Sequence, residues 1–71
     1  MPSARASDFQ QVARKLGFVP VRQRGSHQHW EHPEGRVATI PVHPSKEISG
    51  SLFFQLLKGL GIDIETFNEL K

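Results

Sequence analysis

Four histidines occur among 71 residues, and three of them lie in the hexapeptide His-Gln-His-Trp-Glu-His at positions 27–32. Imidazole titrates near neutral pH, so it can ligate a metal ion or accept and return a proton. If this segment is a β-strand, its period of two places His27, His29 and Glu31 on one face. The segment therefore raises two chemical hypotheses, a metal site and an acid–base site.

The metal hypothesis uses His27 and His29 as ligands on one strand face, with Glu31 as a third. A structural zinc site takes four ligands, and the chain has no cysteine that could complete the set. The sequence also has no closely spaced histidine pair on a predicted helix. We therefore predict that the protein has no metal site and needs no cofactor.

The acid–base hypothesis centres on His27 and requires a substrate that carries its own nucleophile. RNA is such a substrate, because its 2′-hydroxyl lies next to the scissile phosphate and a histidine can move the protons. Gly25 and Ser26 would bring N–H groups and a hydroxyl to that phosphate, and Arg22 and Arg24 would neutralise its charge. From spacing alone, an equally good interpretation makes His27 a polar residue beside a hairpin turn.

Other basic and histidine residues carry weaker predictions. His29 and Lys58 are predicted to contact RNA phosphates, and Arg36 is a further candidate for such a salt-dependent contact. For His29 a catalytic role is the alternative. His32 is expected to be structural, as a hydrogen-bonded group that shapes the turn after it. His43 is predicted to lie in a loop, either as a phosphate contact or as a solvated residue without a role.

The first half of the chain predicts a helix followed by three strands. Ser7 and Gln10 match a capping box, an apolar stripe of helical period runs over residues 8–16, and Gly17 is a suitable helix end. Residues 1–6 are expected to be frayed. Alternating apolar residues separated by Gly- or Pro-containing turns then predict strands at 18–24, 27–32 and 36–41.

The second half predicts a loop over residues 42–49 and then a helix capped by Ser49 or Ser51 and ended by Gly59 and Gly61. The inward face of this helix is expected to consist of Leu52, Phe53, Leu56, Leu57 and Leu60. Asp63 is a suitable N-cap for a short C-terminal helix that runs to residue 70.

These elements predict an α+β fold of order α-β-β-β-α with a short C-terminal helix. Two helices would cover one face of a three-stranded antiparallel sheet and bury Trp30 and Ile40. The other face of the sheet, which carries His27, would stay open. We therefore expect the candidate site to lie on this open face.

The length of 71 residues predicts a single domain over residues 1–71. No apolar run approaches the roughly 20 residues that span a bilayer, and the N-terminus lacks the apolar stretch of a signal peptide. We therefore predict a cytoplasmic protein that has no membrane partner.

The net charge is +2, with basic residues in the middle and acidic residues at the C-terminus, which favours a polyanionic partner.

Several motifs follow one another along the chain: Gly-Phe-Val at 17–19, Arg-Gln-Arg-Gly-Ser-His at 22–27, Trp-Glu-His-Pro-Glu-Gly-Arg at 30–36 and Thr-Ile-Pro at 39–41. In this order they resemble the HicA family of toxin ribonucleases, over about residues 7–62. The Arg-x-x-Gly-Ser-His and His-Pro-Glu-Gly elements are the most specific part. Val42 and Ala38 depart from the family pattern, but neither belongs to these two elements.

The resemblance implies a fold like that of double-stranded-RNA-binding domains and cleavage of mRNA that inhibits translation. It also implies a HicB-type antitoxin that covers the active site, with a toxin that is monomeric when free and part of a hetero-oligomer when bound. His27 matches the family's catalytic histidine, and Gly25 and Ser26 match the turn before it. Residues 63–70 lie beyond the family core, as an appendage for packing or antitoxin contact.

Two other functions remain open at this stage. The chain could be a double-stranded-RNA-binding module without catalysis, which recognises the shape and phosphates of a minor groove. It could also be an inactive relative that binds a protein through its open sheet face and its acidic C-terminus. Replacing His27 by alanine separates these alternatives from the ribonuclease, because only a ribonuclease loses an RNA-cleaving activity.

Overall fold

The computed structural model describes residues 2–43 and 46–71; Met1, and Pro44 and Ser45 of the predicted loop, lie outside this range. The strands and helices, in chain order, are β1 (Ser3–Arg5), α1 (Ala6–Lys15), β2 (Val19–Arg24), β3 (His27–Glu31), β4 (Val37–Pro41), β5 (Glu47–Ser49), α2 (Gly50–Leu60) and α3 (Ile64–Leu70). Strands β2, β3 and β4 form an antiparallel sheet in that order. The predicted α+β class, with three central strands between helices, is confirmed.

A second, two-stranded sheet joins the N-terminus to the segment before α2. Strand β1 pairs antiparallel with β5, so that Ser3 lies opposite Ser49, and the Ser3 hydroxyl donates to the Glu47 carboxylate at 2.7 Å. The prediction of a frayed N-terminus is therefore wrong for residues 3–5, and the predicted loop is wrong for 47–49. Strands of three residues are too short to show a periodic pattern, and their pairing is non-local.

Helix α1 begins two residues earlier than predicted, because β1 runs directly into it. Its N-cap is Arg5, whose backbone N–H donates to the Asp8 carboxylate at 3.1 Å. Ser7 therefore lies inside the first turn, and the predicted capping box at Ser7 is wrong. The helix gives way to a turn at Gly17, which has a φ of 97° as expected for a left-handed helix end.

The core face of the three-stranded sheet is built around β3. Trp30 and Ile40 are fully buried, as predicted from their strand period. The side-chain oxygen of Gln28 accepts hydrogen bonds from Trp30 Nε1 at 3.0 Å and from Gln10 Nε2 at 2.7 Å. These bonds satisfy the indole N–H inside the core and tie β3 to α1, which fixes the orientation of the strand.

Helix α2 packs on the sheet with an apolar face, although one predicted core residue lies outside it. Ser49 is the N-cap, as predicted, but its side chain makes no capping hydrogen bond. Leu52 is 42 % exposed, contrary to the prediction that it faces inward. The buried residues of this helix are Phe53, Leu56, Leu57 and Leu60.

The C-terminal helix α3 has the predicted cap. Asp63 Oδ1 accepts a hydrogen bond from the Thr66 N–H at 2.8 Å, and this bond lowers the pKa of the Asp63 carboxyl. Because the pKa falls on folding, the cap stabilises the helix at neutral pH and is lost as the pH drops through the lowered pKa. Phe67 on this helix is fully buried, with its ring centroid 4.6 Å from that of Phe9.

Two glycines near the end of α2 are expected to respond in opposite ways to alanine. The prediction that Gly59 ends the helix is wrong, because α2 runs to Leu60, whereas Gly61 is the left-handed residue that follows it. At Gly59, inside the helix, a Cβ would lie 3.9 Å from the Ala38 Cβ, an ordinary contact, so Gly59→Ala should stabilise the protein by about 0.5–1 kcal/mol. At Gly61, φ is 77° and a Cβ would collide with the Arg36 guanidinium, so Gly61→Ala should cost at least about 1–2 kcal/mol. Urea unfolding of both variants measures the difference. Equal effects at the two positions would contradict this account of the helix end.

Candidate active site

The open face of the sheet presents side chains in rows that run across the three strands. Alternation along β3 leaves His27, His29 and Glu31 on the face opposite the buried Trp30. The strand registers extend these positions into three rows: Arg24–His27–Pro41, Arg22–His29–Thr39 and Val19–Glu31–Val37. Two of the predicted phosphate-binding arginines therefore stand directly opposite the two histidines.

His27 stands at the end of this face, immediately after the tight turn between β2 and β3. Gly25 has a φ of 59° while Ser26 does not have a positive φ, the pattern of a type II′ hairpin turn that needs glycine at its first central position. No atom lies within 4 Å of a Cβ placed on Gly25, so the space beside this backbone is open. The Ser26 carbonyl accepts from the Val42 N–H at 2.7 Å and holds the start of β3 in place.

The exposed His27 side chain also lines a groove of about 410 Å³ between β4 and α2. The walls of the groove are largely apolar, with one amide group, and are formed by Val37, Ala38, Thr39, Pro41, Leu52, Gln55, Leu56 and Gly59. The exposure of Leu52 follows from this groove, because its side chain faces the cleft instead of the core. The histidine is thus accessible both from the open face and from the groove.

His29 lies in the next row and has a fixed orientation. Its Nδ1 is 3.1 Å from the hydroxyl oxygen of Thr39, its direct partner on β4. The half-buried ring lines a smaller hollow of about 160 Å³, to which Arg22 and Glu31 also contribute. This hydrogen bond was not predicted, since it depends on the register between β3 and β4.

Two basic residues outside the open face have other surroundings. Lys58 is exposed, but it lines a separate hollow with Phe54 and Ile64, the first residue of α3, and not the groove that holds His27. Arg36 donates to the Leu60 carbonyl at 3.1 Å and lies over the Phe18 ring at 5.5 Å, so it caps the end of α2.

The two remaining histidines line neither the groove beside His27 nor the hollow beside His29. The structural prediction for His32 is confirmed, because its Nδ1 accepts from the Glu34 N–H and its Nε2 lies 3.1 Å from the Leu16 carbonyl. Since Nδ1 accepts, the proton of the neutral ring is on Nε2 and is donated to that carbonyl. His43 is exposed after β4, as predicted for a loop residue, beside the start of α1.

Within residues 2–43 and 46–71, no three or more His, Cys, Asp or Glu side chains are grouped closely enough to hold a metal ion. In the same residues, none of the helices has the length and apolar character needed to cross a bilayer.

The fold and its open face define a small α+β protein with paired histidines and arginines on an uncovered sheet. A family model described as the HicA toxin of bacterial toxin–antitoxin systems matches residues 6–62 of the 71-residue chain. The chain therefore belongs to the HicA toxin family, and it is a toxin that pairs with an antitoxin. Among curated proteins, no significant match to the chain is found.

Proposed function

We propose that this toxin is an endoribonuclease that cleaves mRNA in the cytoplasm and so inhibits translation, with His27 as a general acid or base and no metal ion. The observation that supports this proposal most directly is the position of His27. Its exposed imidazole follows the Gly25-Ser26 turn and stands opposite Arg24 on the open face. The membership of the HicA toxin family supports it further.

The chemistry requires three things of the protein at the scissile phosphate. Arg22 and Arg24 bind the phosphate and offset the charge that grows on it during attack by the 2′-oxygen. The open backbone at Gly25 and Ser26 lets a phosphate oxygen approach the N–H groups of the turn. His27 transfers one of the two protons that must move, which for a well-placed histidine accelerates the reaction by about 10²–10⁴-fold.

The partner that silences the enzyme is a HicB-type antitoxin that covers the open face. An antitoxin seated there would contact His27 and both arginines and would exclude RNA from the phosphate site. The exposed Val19 and Val37 lie in the third row and would add apolar contact area to this interface. The free toxin is a monomer and the inhibited form a hetero-oligomer.

The test is cleavage of a defined single-stranded RNA by the purified protein in excess EDTA. We expect a product with a 2′,3′-cyclic phosphate and a partner fragment with a 5′-hydroxyl. The matched control is the same RNA with 2′-O-methyl groups, which binds through its phosphates but lacks the nucleophile and should stay intact. Binding of both RNAs without cleavage would favour an RNA-binding module without catalysis, and activity that returns only with a divalent ion would exclude the metal-independent mechanism.

A further inference from the structure

His29 lies on the same strand as His27, and both side chains are on the open face of the sheet, where the RNA is proposed to bind. The two residues are two positions apart on β3, so their Cα atoms are about 7 Å from each other at the usual rise of a strand. Cleavage of RNA by its own 2′-hydroxyl needs two proton transfers, at the attacking oxygen and at the leaving 5′-oxygen, on opposite sides of the phosphorus. Two imidazoles carried by Cα atoms this far apart on one strand face can serve both oxygens of one phosphate that lies between them.

The hydrogen bond from Thr39 gives His29 the orientation that proton transfer requires. The hydroxyl lies 3.1 Å from His29 Nδ1, and it can either donate to this nitrogen or accept from it. The bond is therefore compatible with both the neutral and the protonated imidazole. It leaves Nε2 as the ring nitrogen that is available to a substrate.

The charges around His29 are suited to a phosphate that lies over it. Arg22 stands opposite on β2, and His27 and Glu31 flank it on β3. From β4 the neighbours are Thr39 and Val37, which carry no charge. A phosphate between His27 and His29 would lie on the side of His29 that is away from the Glu31 carboxylate, within reach of Arg22 on β2.

We propose that His29 is the second proton-transfer group of the cleavage, paired with His27, and that Thr39 is its positioning residue. This inference rests on the ribonuclease function proposed above. One imidazole takes the proton of the 2′-hydroxyl as the 2′-oxygen bonds to phosphorus. The bond from phosphorus to the 5′-oxygen breaks, and the other imidazolium gives its proton to that oxygen, which yields the cyclic phosphate and the 5′-hydroxyl.

The first experiment compares pH profiles of kcat/KM for the wild-type protein, His29→Ala and Thr39→Val on one RNA. The wild type should give a bell-shaped profile, and His29→Ala should lose one limb of the bell and at least about 10²-fold in rate. Thr39→Val should lower kcat by a smaller factor, with recovery in Thr39→Ser, which keeps the hydroxyl. Circular dichroism spectra show whether the variants are folded.

The second experiment identifies which proton each histidine moves. An RNA with sulfur in place of the leaving 5′-oxygen needs no general acid, because a thiolate leaves without protonation. This substrate should restore the rate of only one of His27→Ala and His29→Ala, namely the variant that lacks the acid.

Two outcomes would overturn the pairing. If His29→Ala keeps both limbs of the profile and changes only KM, His29 is a phosphate contact. If the sulfur-containing RNA rescues both variants or neither, the two histidines do not divide the proton transfers between them. Failure of the wild type to cleave any RNA would instead overturn the ribonuclease proposal itself, together with the pair that rests on it.

Discussion

Replacing His27 by alanine is expected to lower the rate of RNA cleavage by about 10²–10⁴-fold while leaving the protein folded. The side chain is exposed at the end of the open face, so its removal leaves no cavity in the core. The affinity for an uncleavable 2′-O-methyl RNA should change little, because Arg22 and Arg24 remain. Cleavage rates under single-turnover conditions, together with binding measurements, separate these two quantities.

The matched control for this prediction is His43→Ala, which removes an exposed histidine beside the start of α1 and away from the sheet rows. It should keep the wild-type rate. In cells, induced expression of the wild type and of His43→Ala should arrest growth and fragment mRNA, and His27→Ala should do neither. Growth arrest by a folded His27→Ala variant would show that the toxin acts by some other route.

Replacing Phe67 by alanine is expected to lower the free energy of unfolding by about 3–5 kcal/mol, which is most of the stability that a core of this size provides. Phe67 lies beyond the residues 6–62 that match the family, yet it is fully buried. Its ring centroid is 4.6 Å from that of Phe9 and 5.3 Å from that of Phe53, so it joins α3 to both other helices. Urea unfolding followed by circular dichroism measures the loss.

The surface of the same helix provides the control for Phe67→Ala. Glu69→Ala changes an exposed side chain on α3 and should alter the free energy of unfolding by no more than about 0.5 kcal/mol. If Phe67→Ala were fully folded and as stable as Glu69→Ala, α3 would be a detachable tail and not part of the core. Phe67→Leu, which keeps most of the apolar volume, should lie between the two variants.

Local patterns in the sequence predict the centre of the fold well. The period of two along residues 27–31 correctly separates Trp30 from His27 and His29, because one face of the sheet is covered and the other is not. Gly17 and Asp63 predict helix boundaries because each solves a local backbone problem, a left-handed residue in one case and a free N–H in the other. Such features depend only on neighbours in the chain.

Features that depend on contacts between distant parts of the chain leave no local pattern from which they could be predicted. The pairing of β1 with β5 was missed for this reason, and so was the role of Arg36, whose guanidinium reaches the end of α2 from the turn before β4. In the candidate site, it is predictable that His27 and His29 share one face, because side chains two positions apart on a strand point the same way. The contact between Thr39 and His29 is not, because it needs the register between two strands.

The pairing of β1 with β5 sets an order for events during synthesis of the chain. Ser3 leaves the ribosome before its partner Glu47, which lies 44 residues later, and until then β1 has no strand to pair with. The β2–β3–β4 hairpins join neighbouring segments and can close as soon as they emerge, since short loops have a low entropic cost of closure. In the nascent toxin, the sheet that carries His27 and His29 can therefore form before β1 pairs with β5.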